Sequence, residues 1–269
     1  MIYPVIALMT DFGEYDFFVA SLKGTIVKIN PSARIIDITH HVPSYDITAG
    51  SFILFSSYKY FPDKTIFLII VDPGVGSARR ILLAETKNYY FIAPDNGVLS
   101  LVLERDGIKK IREITNKKYF LPGESRTFEG RDKMAPAAAW LSMGISCREF
   151  GPEAASYKKL NFQKPEIKGN EIVGQVLYID KFGNLITNIP GKMLDIIRKK
   201  TGKKVFSLTT KGMKIDLFLQ SYSSAKKGEL LFLIGSIGMV EIAAREESAS
   251  EKIRAEVYDE VRISVRGKE

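Results

Sequence analysis

Aspartates follow the apolar segments in the first half of the chain. Asp11, Asp37 and Asp72 each lie at or beside the end of an apolar run that we interpret as a strand, and Asp95 follows another. In an open parallel sheet, the ligand crevice lies outside the carboxyl ends of the strands. A single aspartate there commonly caps a helix or makes a turn. Several of them at one edge predict a site with carboxylate chemistry.

The residue types argue against several other kinds of site. His40 and His41 are neighbours, so their side chains point to opposite faces of a strand, and Cys147 is the single cysteine. Neither a Gly-x-Ser-x-Gly elbow nor a Gly-x-x-x-x-Gly-Lys-Ser/Thr phosphate loop occurs. Two enzyme classes remain. One is a Mg²⁺-dependent phosphoesterase that uses Asp11, Asp72 and Asp95. The other is a metal-free transfer at a nucleoside whose ribose hydroxyls are held by a carboxylate.

Six short motifs follow one another along nearly the whole chain. They are Thr10-Asp11-Phe12-Gly13, Val71-Asp72-Pro73-Gly74-Val75-Gly76 with Arg79-Arg80, Pro94-Asp95-Asn96-Gly97, Thr127-Phe128-Glu129-Gly130-Arg131-Asp132, Asp180-Lys181-Phe182-Gly183-Asn184, and Gly235-Ser236 before Val240-Glu241-Ile242-Ala243. Together they resemble the S-adenosyl-L-methionine (SAM) hydroxide adenosyltransferase family, which is related to the SAM-dependent fluorinases and chlorinases. The resemblance implies hydrolysis of SAM to adenosine and L-methionine by attack of water or hydroxide at C5′, with no metal and no cofactor.

The same resemblance implies where the substrate is held. It assigns contacts to Asp11 at the ribose hydroxyls, Tyr45 against the substrate, Phe182 stacked on adenine, Asn184 at the adenine edge, Asp180 at the methionine ammonium and Ser236 at the methionine carboxylate. Each residue type suits its role, since a flat ring stacks on a base and a carboxylate pairs with an ammonium. The family also implies a homotrimer in which SAM lies between one subunit's N-terminal domain and a neighbour's C-terminal domain.

Three residues are implied to bind the attacking water. Asp72 and Arg79 keep the pattern of the hydrolases, whereas the halogenases carry no acid at the position of Asp72. The hydrolases complete the set with a histidine where this chain has Glu129. Two acids facing one arginine predict a raised pKa for at least one of them. The alternative is a protein that binds SAM or adenosine with little turnover, because Glu129 replaces the histidine.

The elements that position these residues are alternating strands and helices. Strands are predicted at residues 5–9, 34–38 and 65–71, and helices at 16–29, capped by Asp16, and at 47–60. This order predicts an α/β fold with a mainly parallel sheet. The α/β pattern continues with further predicted strands at 81–84 and 90–92 and with helices at 98–104 and 136–141. We expect this domain to span residues 1–164.

After a polar hinge at 164–170, the pattern changes to short strands separated by turns. They are predicted at residues 172–177, 185–188, 217–219, 230–233 and 261–265. The spacing predicts a smaller, all-β, barrel-like domain over residues 170–269. This domain would complete the site of a neighbouring subunit.

The composition bounds the class of protein. The chain has 269 residues, of which 45% are hydrophobic and 26% charged, with a net charge of +8. Its basic residues are scattered, so we expect a solvated surface and no nucleic-acid partner. No apolar stretch approaches the ~20 residues of a membrane span. Residues 2–9 lack the flanks of a signal peptide. The single cysteine fits a reducing compartment, and a cytoplasmic location is expected.

Overall fold

The computed structural model describes residues 5–123, 125–202 and 205–266. The chain divides into two units, Met1–Leu160 and Asn161–Glu269. The first unit contains a mixed sheet with helices, and the second contains an antiparallel, barrel-like sheet. None of the described helices combines the length and the apolar character that a bilayer crossing requires.

The sheet of the first unit has the strand order β2-β1-β3-β5-β4-β6. Its strands are β1 (Val5–Thr10), β2 (Arg34–Thr39), β3 (Ile66–Ile70), β4 (Ile81–Glu85), β5 (Tyr90–Pro94) and β6 (Lys110–Glu113). The pairs of β1 with β2, β1 with β3 and β3 with β5 are parallel, whereas β4 is antiparallel to both of its neighbours. β1 and β3 are buried along their whole length, as their apolar runs predicted. Residues 2–4 of the apolar stretch at 2–9 lie outside the described residues.

Helices cover both faces of this sheet. They are α1 (Phe18–Ile29), α2 (Ile47–Ser57), α3 (Ser100–Asp106) and α4 (Ala135–Ser142). α1 and α4 pack together over one face, where Leu22 and Ile26 join a core with Ile6, Leu8 and Leu68. α2 contacts α3. The predicted cap of α1 was wrong, because the helix begins at Phe18 and Phe17 precedes it without a side-chain cap. Asp46 caps α2 by accepting a hydrogen bond from Ala49 N at 2.8 Å.

The sheet of the second unit has the order β11-β10-β14-β8-β9-β13-β12, with β7 paired to β8. The strands are β7 (Glu166–Lys168), β8 (Glu171–Ile179), β9 (Leu185–Pro190), β10 (Val205–Thr210), β11 (Met213–Ile215), β12 (Leu230–Ile234), β13 (Met239–Ala244) and β14 (Glu260–Arg266). β7 lies within the segment predicted as a hinge. The predicted strand at 217–219 is instead a short bridge to β12, in which Leu219 N donates to Phe232 O at 3.0 Å. The ring of Phe218 lies 5.4 Å from Phe206 of β10 and 5.1 Å from Phe232 of β12, so it joins the two ends of the sheet.

The second unit also contains helices that the sequence analysis did not predict. α5 (Gly191–Thr201) buries Leu194 and Ile197 and ends at Gly202, which adopts a left-handed conformation with φ of 68°. α6 (Ala249–Ile253) begins at Ser248, whose side chain accepts a hydrogen bond from Glu251 N. The apolar spacing of α5 and its terminal glycine are the signals that would have revealed it.

Candidate functional site

Asp72 and Arg79 form an ion pair in the loop between β3 and β4. Asp72 follows the last residue of β3 by two positions, and Gly74 N donates to its Oδ1 at 3.2 Å. Arg79 Nε donates to Asp72 Oδ2 at 2.7 Å. Both side chains are at most 7% exposed. The loop therefore folds back on itself and buries a guanidinium against the carboxylate that ends the central strand.

Glu129 reaches the same guanidinium from another part of the chain. Its Oε2 lies 2.5 Å from Arg79 Nη2 and also accepts a hydrogen bond from Gly76 N at 3.3 Å. Gly76 has φ of 79°, and a side chain there would meet Arg126 O at 2.7 Å. Gly130 packs on Ile70, the last residue of β3, where a Cβ would lie 3.0 Å from the side chain. The two glycines let the Glu129 segment approach the end of β3 closely.

Lys133 supplies a second cation, which the sequence analysis missed. Its Nζ lies 2.7 Å from Glu129 Oε1. Glu129 directly precedes a π-helical turn, Gly130–Met134, which leads into α4. Such turns are frequent at functional sites. The spacing of four residues between an acid and a lysine is the signal that could have indicated this pair.

The expectation of a raised pKa for one of the two acids is wrong for Glu129. Burial by itself raises the pKa of this carboxyl, but the hydrogen bond from Lys133, the charge of Arg79 and the amide of Gly76 outweigh it and hold the pKa below its usual value. Burial likewise lowers the pKa of Arg79, and the hydrogen bond and charge of Asp72, with Glu129, more than offset this and raise it. Each of the two carboxylates therefore contacts Arg79, and Glu129 has Lys133 as a second basic partner.

Asp11 lies at the end of β1, next to the end of β3, because Thr10 pairs with Ile70. Its Oδ2 accepts a hydrogen bond from Tyr45 N at 2.9 Å. Burial raises the pKa of Asp11, the Tyr45 amide lowers it, and the nearby negative charge of Asp72 raises it further. No ion pair of Asp11 is found among the described residues. Its carboxylate is thus placed to accept hydrogen bonds from a neutral donor such as a hydroxyl.

Tyr45 contributes its backbone to this arrangement, and its side chain is 72% exposed. The residue has a positive φ of 67°, which is unusual for a residue other than glycine. Its conformation turns the amide toward Asp11 and leaves the ring in solvent. Strained backbone of this kind persists where the surrounding structure holds it, often at functional sites.

The other two aspartates at the sheet edge are engaged elsewhere. Asp37 lies 2.6 Å from Lys23 Nζ and 3.1 Å from the buried ring of His40. Asp95 Oδ2 pairs with Arg80, and its Oδ1 accepts a hydrogen bond from Lys158 N at 2.7 Å. In the part of the chain that the structure describes, no group of three or more His, Cys, Asp and Glu residues is arranged to hold a metal ion. The three carboxylates weighed for a magnesium site do not form such a group.

A hydrogen-bonded chain supports the loop that carries Asp11. His40 Nδ1 lies 3.0 Å from the hydroxyl of Thr10, and this hydroxyl accepts a hydrogen bond from Phe12 N at 3.2 Å. His40 O accepts another from Gly13 N at 2.7 Å. His40 is therefore a buried structural residue between Thr10 and Asp37, a role that the sequence did not indicate.

In the second unit, Asp180 holds the turn between β8 and β9. Its Oδ1 accepts hydrogen bonds from Phe182 N at 2.8 Å and Asn184 N at 2.9 Å, and its Oδ2 accepts one from Asn184 Nδ2 at 2.9 Å. Gly183, with φ of 80°, packs against Ser248, where a Cβ would meet the hydroxyl oxygen at 2.1 Å. The turn is thus fixed on the start of α6, and three of the acceptor positions of Asp180 are occupied within it.

This turn lines a cavity of about 610 Å³, together with Tyr222 and residues 244–248. The volume is within the range of small-molecule sites. The ring of Phe182 is 65% exposed, so it does not belong to the core. Lys181 Nζ lies 4.8 Å from the ring centroid. An exposed ring in a cavity is a surface on which a planar group can stack.

The charged loop after Ile242 is held by its own contacts. Arg245 Nη1 donates to Ala225 O at 2.6 Å and to Ser223 O at 3.2 Å. Glu247 pairs with Lys252 at 2.8 Å. The charges at this edge of the cavity therefore stabilise the segment that carries Tyr222 and the start of α6.

Ser236 lies in the exposed turn between β12 and β13, away from Phe182 and Asn184 along the sheet. Leu185, which follows Asn184, pairs with Ile242 near one end of β13, and Ser236 precedes its other end. Between them lies Glu241, a buried acid that the sequence analysis did not select. Its Oε1 accepts a hydrogen bond from the hydroxyl of Tyr222 at 2.5 Å.

The fold and these residues define a two-unit protein with an acid–arginine cluster in an α/β unit and an aromatic-lined cavity in a β unit. Residues 6–151 match the N-terminal domain, and residues 174–262 the C-terminal domain, of SAM hydroxide adenosyltransferases. The chain belongs to the SAM hydroxide adenosyltransferase family, as its motifs predicted.

Similar proteins include hydrolases and halogenases. The chain is 34% identical to the (R)-S-adenosyl-L-methionine hydrolase of Methanocaldococcus jannaschii, with 97% of this chain and 96% of that protein covered. It is 30% identical to the fluorinase of an Actinoplanes species, over 69% of this chain and 72% of that protein. A crystal structure of an uncharacterized conserved protein from Thermotoga maritima has a TM-score of 0.89 and 37% identity, with 97% of this chain and 100% of that chain covered.

Proposed function

We propose that this protein hydrolyses SAM to adenosine and L-methionine. The observation that carries the proposal is the buried cluster of Asp72, Arg79 and Glu129, with the carboxylate of Asp11, which has no ion pair among the described residues, at the end of the adjacent strand. The hydrolases among the relatives support water over halide as the nucleophile. Negative charge at Asp72 and Glu129 also disfavours a halide ion at this place.

The reaction is an in-line displacement at C5′. A bond forms between the oxygen of water and C5′, the bond between C5′ and the sulfonium breaks, and its electron pair leaves with methionine as a neutral thioether. One proton of the water is released, first to Asp72 or Glu129 and then to solvent. Arg79 holds the two carboxylates in place, so that they orient the water and disperse the charge that develops on it.

The remaining residues bind the substrate in this scheme. Asp11 accepts hydrogen bonds from the ribose hydroxyls, Tyr45 lies against the nucleoside, Phe182 stacks on adenine, and Asn184 binds its edge. Asp180 and Ser236 face the methionyl part. The water cluster and the adenine cavity lie in different units of the chain, and we propose that a neighbouring subunit of a homotrimer supplies the second unit. The reaction needs no cofactor.

The names of the hydrolase relatives specify the R configuration at the sulfonium. We therefore propose that the R epimer of SAM is the preferred substrate. The two epimers present the leaving group and its methyl in different directions relative to C5′. Only one of them aligns the breaking bond with a water that the cluster holds in a fixed position.

The test is to incubate the purified protein with each epimer of SAM in the presence of EDTA and to separate the products by chromatography. Adenosine and methionine in equal amounts, with faster release from the R epimer, support the proposal. Arg79→Met should abolish release, and Arg34→Met is the matched control, because Arg34 begins β2 at the opposite edge of the sheet.

Two other results would contradict the proposal. SAM that binds without turnover would indicate a binding protein in which Glu129 has ended catalysis. Hydrolysis of phosphate esters only with Mg²⁺ would indicate the phosphoesterase.

A further inference from the structure

Glu241 is a buried acid on a strand whose neighbours are apolar. Val240, Ile242 and Ala244 of β13 point into the barrel core, whereas Glu241 occupies the opposite face. On that face it lies beside Leu233 of β12 and Ile186 of β9, its cross-strand partners. The residue is only 8% exposed. A carboxylate in such surroundings is costly unless something compensates its charge.

No cation compensates Glu241 among the described residues. The hydroxyl of Tyr222 donates to its Oε1, and this is the hydrogen bond found for its carboxylate in that part of the chain. Burial raises the pKa of Glu241, the Tyr222 hydrogen bond lowers it, and the negative charge of Asp180 raises it further. Asp72, by comparison, has a side chain that is 6% exposed and that pairs with Arg79. Glu241 is thus a buried carboxylate for which the described part of the second unit supplies no cation.

Glu241 lies next to residues that line the cavity. Tyr222 and Asp180 both line the cavity, and both interact with the Glu241 carboxylate by a hydrogen bond or by charge. On its other side, Oε2 lies against Gly235, where a Cβ would approach it to 2.4 Å. A side chain at residue 235 would overlap this oxygen, so the glycine lets the carboxylate lie against the turn that carries Ser236. Asp180, in contrast, already uses three acceptor positions within its own turn.

We propose that Glu241 binds the α-ammonium group of the substrate's amino-acid part, next to the adenine position at Phe182. This inference rests on the proposed function and assigns a further binding residue to it. The substrate carries a sulfonium and an ammonium, but only the ammonium has N–H donors for Oε2. A charged hydrogen bond to a buried carboxylate is among the stronger polar contacts in proteins. The Tyr222 hydroxyl holds the carboxylate in the orientation that receives it.

The test compares ligands that differ in the amino-acid part, in the intact protein and in Glu241→Gln. Glutamine keeps the shape and can still accept the Tyr222 hydrogen bond, so the variant is expected to fold. S-adenosyl-L-homocysteine has the ammonium but no sulfonium and is not a substrate for displacement, whereas adenosine has neither group. Calorimetry should show that Glu241→Gln weakens binding of S-adenosyl-L-homocysteine at least about tenfold and leaves adenosine within about twofold. Glu260→Gln, on an exposed carboxylate of β14, is the matched control.

Each other outcome contradicts the inference. Equal losses for both ligands would show that Glu241 only supports the fold of the site, and no loss for either would show that it binds nothing. A higher KM for SAM with unchanged S-adenosyl-L-homocysteine binding would assign Glu241 to the sulfonium. These results leave the proposed function intact if the parent protein still releases adenosine from SAM. Absence of that release would contradict the proposed function itself.

Discussion

Lys133 Nζ lies 2.7 Å from Glu129 Oε1, on the side of the carboxylate opposite to Arg79. This contact changes the electrostatics of the whole cluster. Without Lys133, two buried acids would share one guanidinium, and one of them would tend to hold a proton. With it, Glu129 has a second basic partner, and its pKa lies below the ordinary value of a glutamate. The lysine therefore favours the ionised form of the Glu129 carboxylate.

Replacing Lys133 by methionine should shift the pH profile of the reaction. Its hydrogen bond is the largest effect that lowers the pKa of Glu129, so its loss should raise that pKa. If ionised Glu129 orients the water, activity falls when the pH drops through its pKa. The acid limb of kcat/KM should therefore lie at higher pH in Lys133→Met than in the parent. Lys87→Met, an exposed lysine, should leave the limb in place, and coincident profiles would show that Lys133 does not control this group.

The same pKa predicts how Glu129 contributes to stability. Because its pKa in the folded state is below the ordinary value, its charge stabilises the fold at pH above that ordinary value. This contribution is lost as the pH falls through the lowered pKa. Denaturant unfolding of the parent and of Glu129→Gln should therefore show a stability difference at neutral pH that shrinks in acid. A difference that stays constant with pH would contradict this interpretation.

Glu129→Ala should lower turnover by about 10²-fold or more, the range for a group that assists proton transfer. The affinity for S-adenosyl-L-homocysteine should stay within about threefold, because water orientation matters in the transition state and contributes little to ground-state binding. Single-turnover kinetics and calorimetry separate the two quantities. If Glu129→Ala turns over as fast as the parent, Asp72 and Arg79 alone orient the water.

Asp11→Asn should weaken adenosine binding by about 1.5–3 kcal/mol, the range for a hydrogen bond to a charged group. Asparagine still accepts the Tyr45 amide through its side-chain oxygen, so the loop should persist. Calorimetry measures the change, and Asp16→Asn in the same exposed loop is the control. Unchanged affinity in a folded Asp11→Asn protein would remove Asp11 from the ribose site.

Solvent should provide the new oxygen of the product. In ¹⁸O-labelled water, mass spectrometry should find the label in the 5′-hydroxyl of adenosine. Chloride or fluoride should give little 5′-halo product, because the carboxylates of Asp72 and Glu129 would repel a halide ion at the proposed nucleophile site. Adenosine without label would exclude direct displacement by water, and abundant halogenated product would contradict the role of the two carboxylates.

Local sequence determined much of the first unit. The continuous apolar runs of β1 and β3 have the short length that is typical of buried strands. The helices α1 and α2 occur where the spacing of apolar residues predicted them. Parallel strands end at one edge of a sheet, so Asp11 and Asp72 had to lie near each other. The tight turns at Gly76 and Gly183 also depend on the local residue type, because both have a positive φ.

Tertiary structure determined which acidic side chain pairs with which basic side chain. Glu129 reaches Arg79 because Gly130 packs on Ile70. Lys133 reaches Glu129 through a π-helical turn that the sequence pattern does not predict. Asp37 and Asp95 resemble Asp11 in their place after apolar runs, yet the fold gives each of them a basic partner, whereas no ion pair of Asp11 is found among the described residues. In the sequence, Glu241 looks like an ordinary polar residue of an alternating strand. Only the packing of the Tyr222 segment over it makes it a buried acid. Charge pairing and burial depend on residues distant in the chain, whereas strand periodicity and turn geometry depend on neighbours.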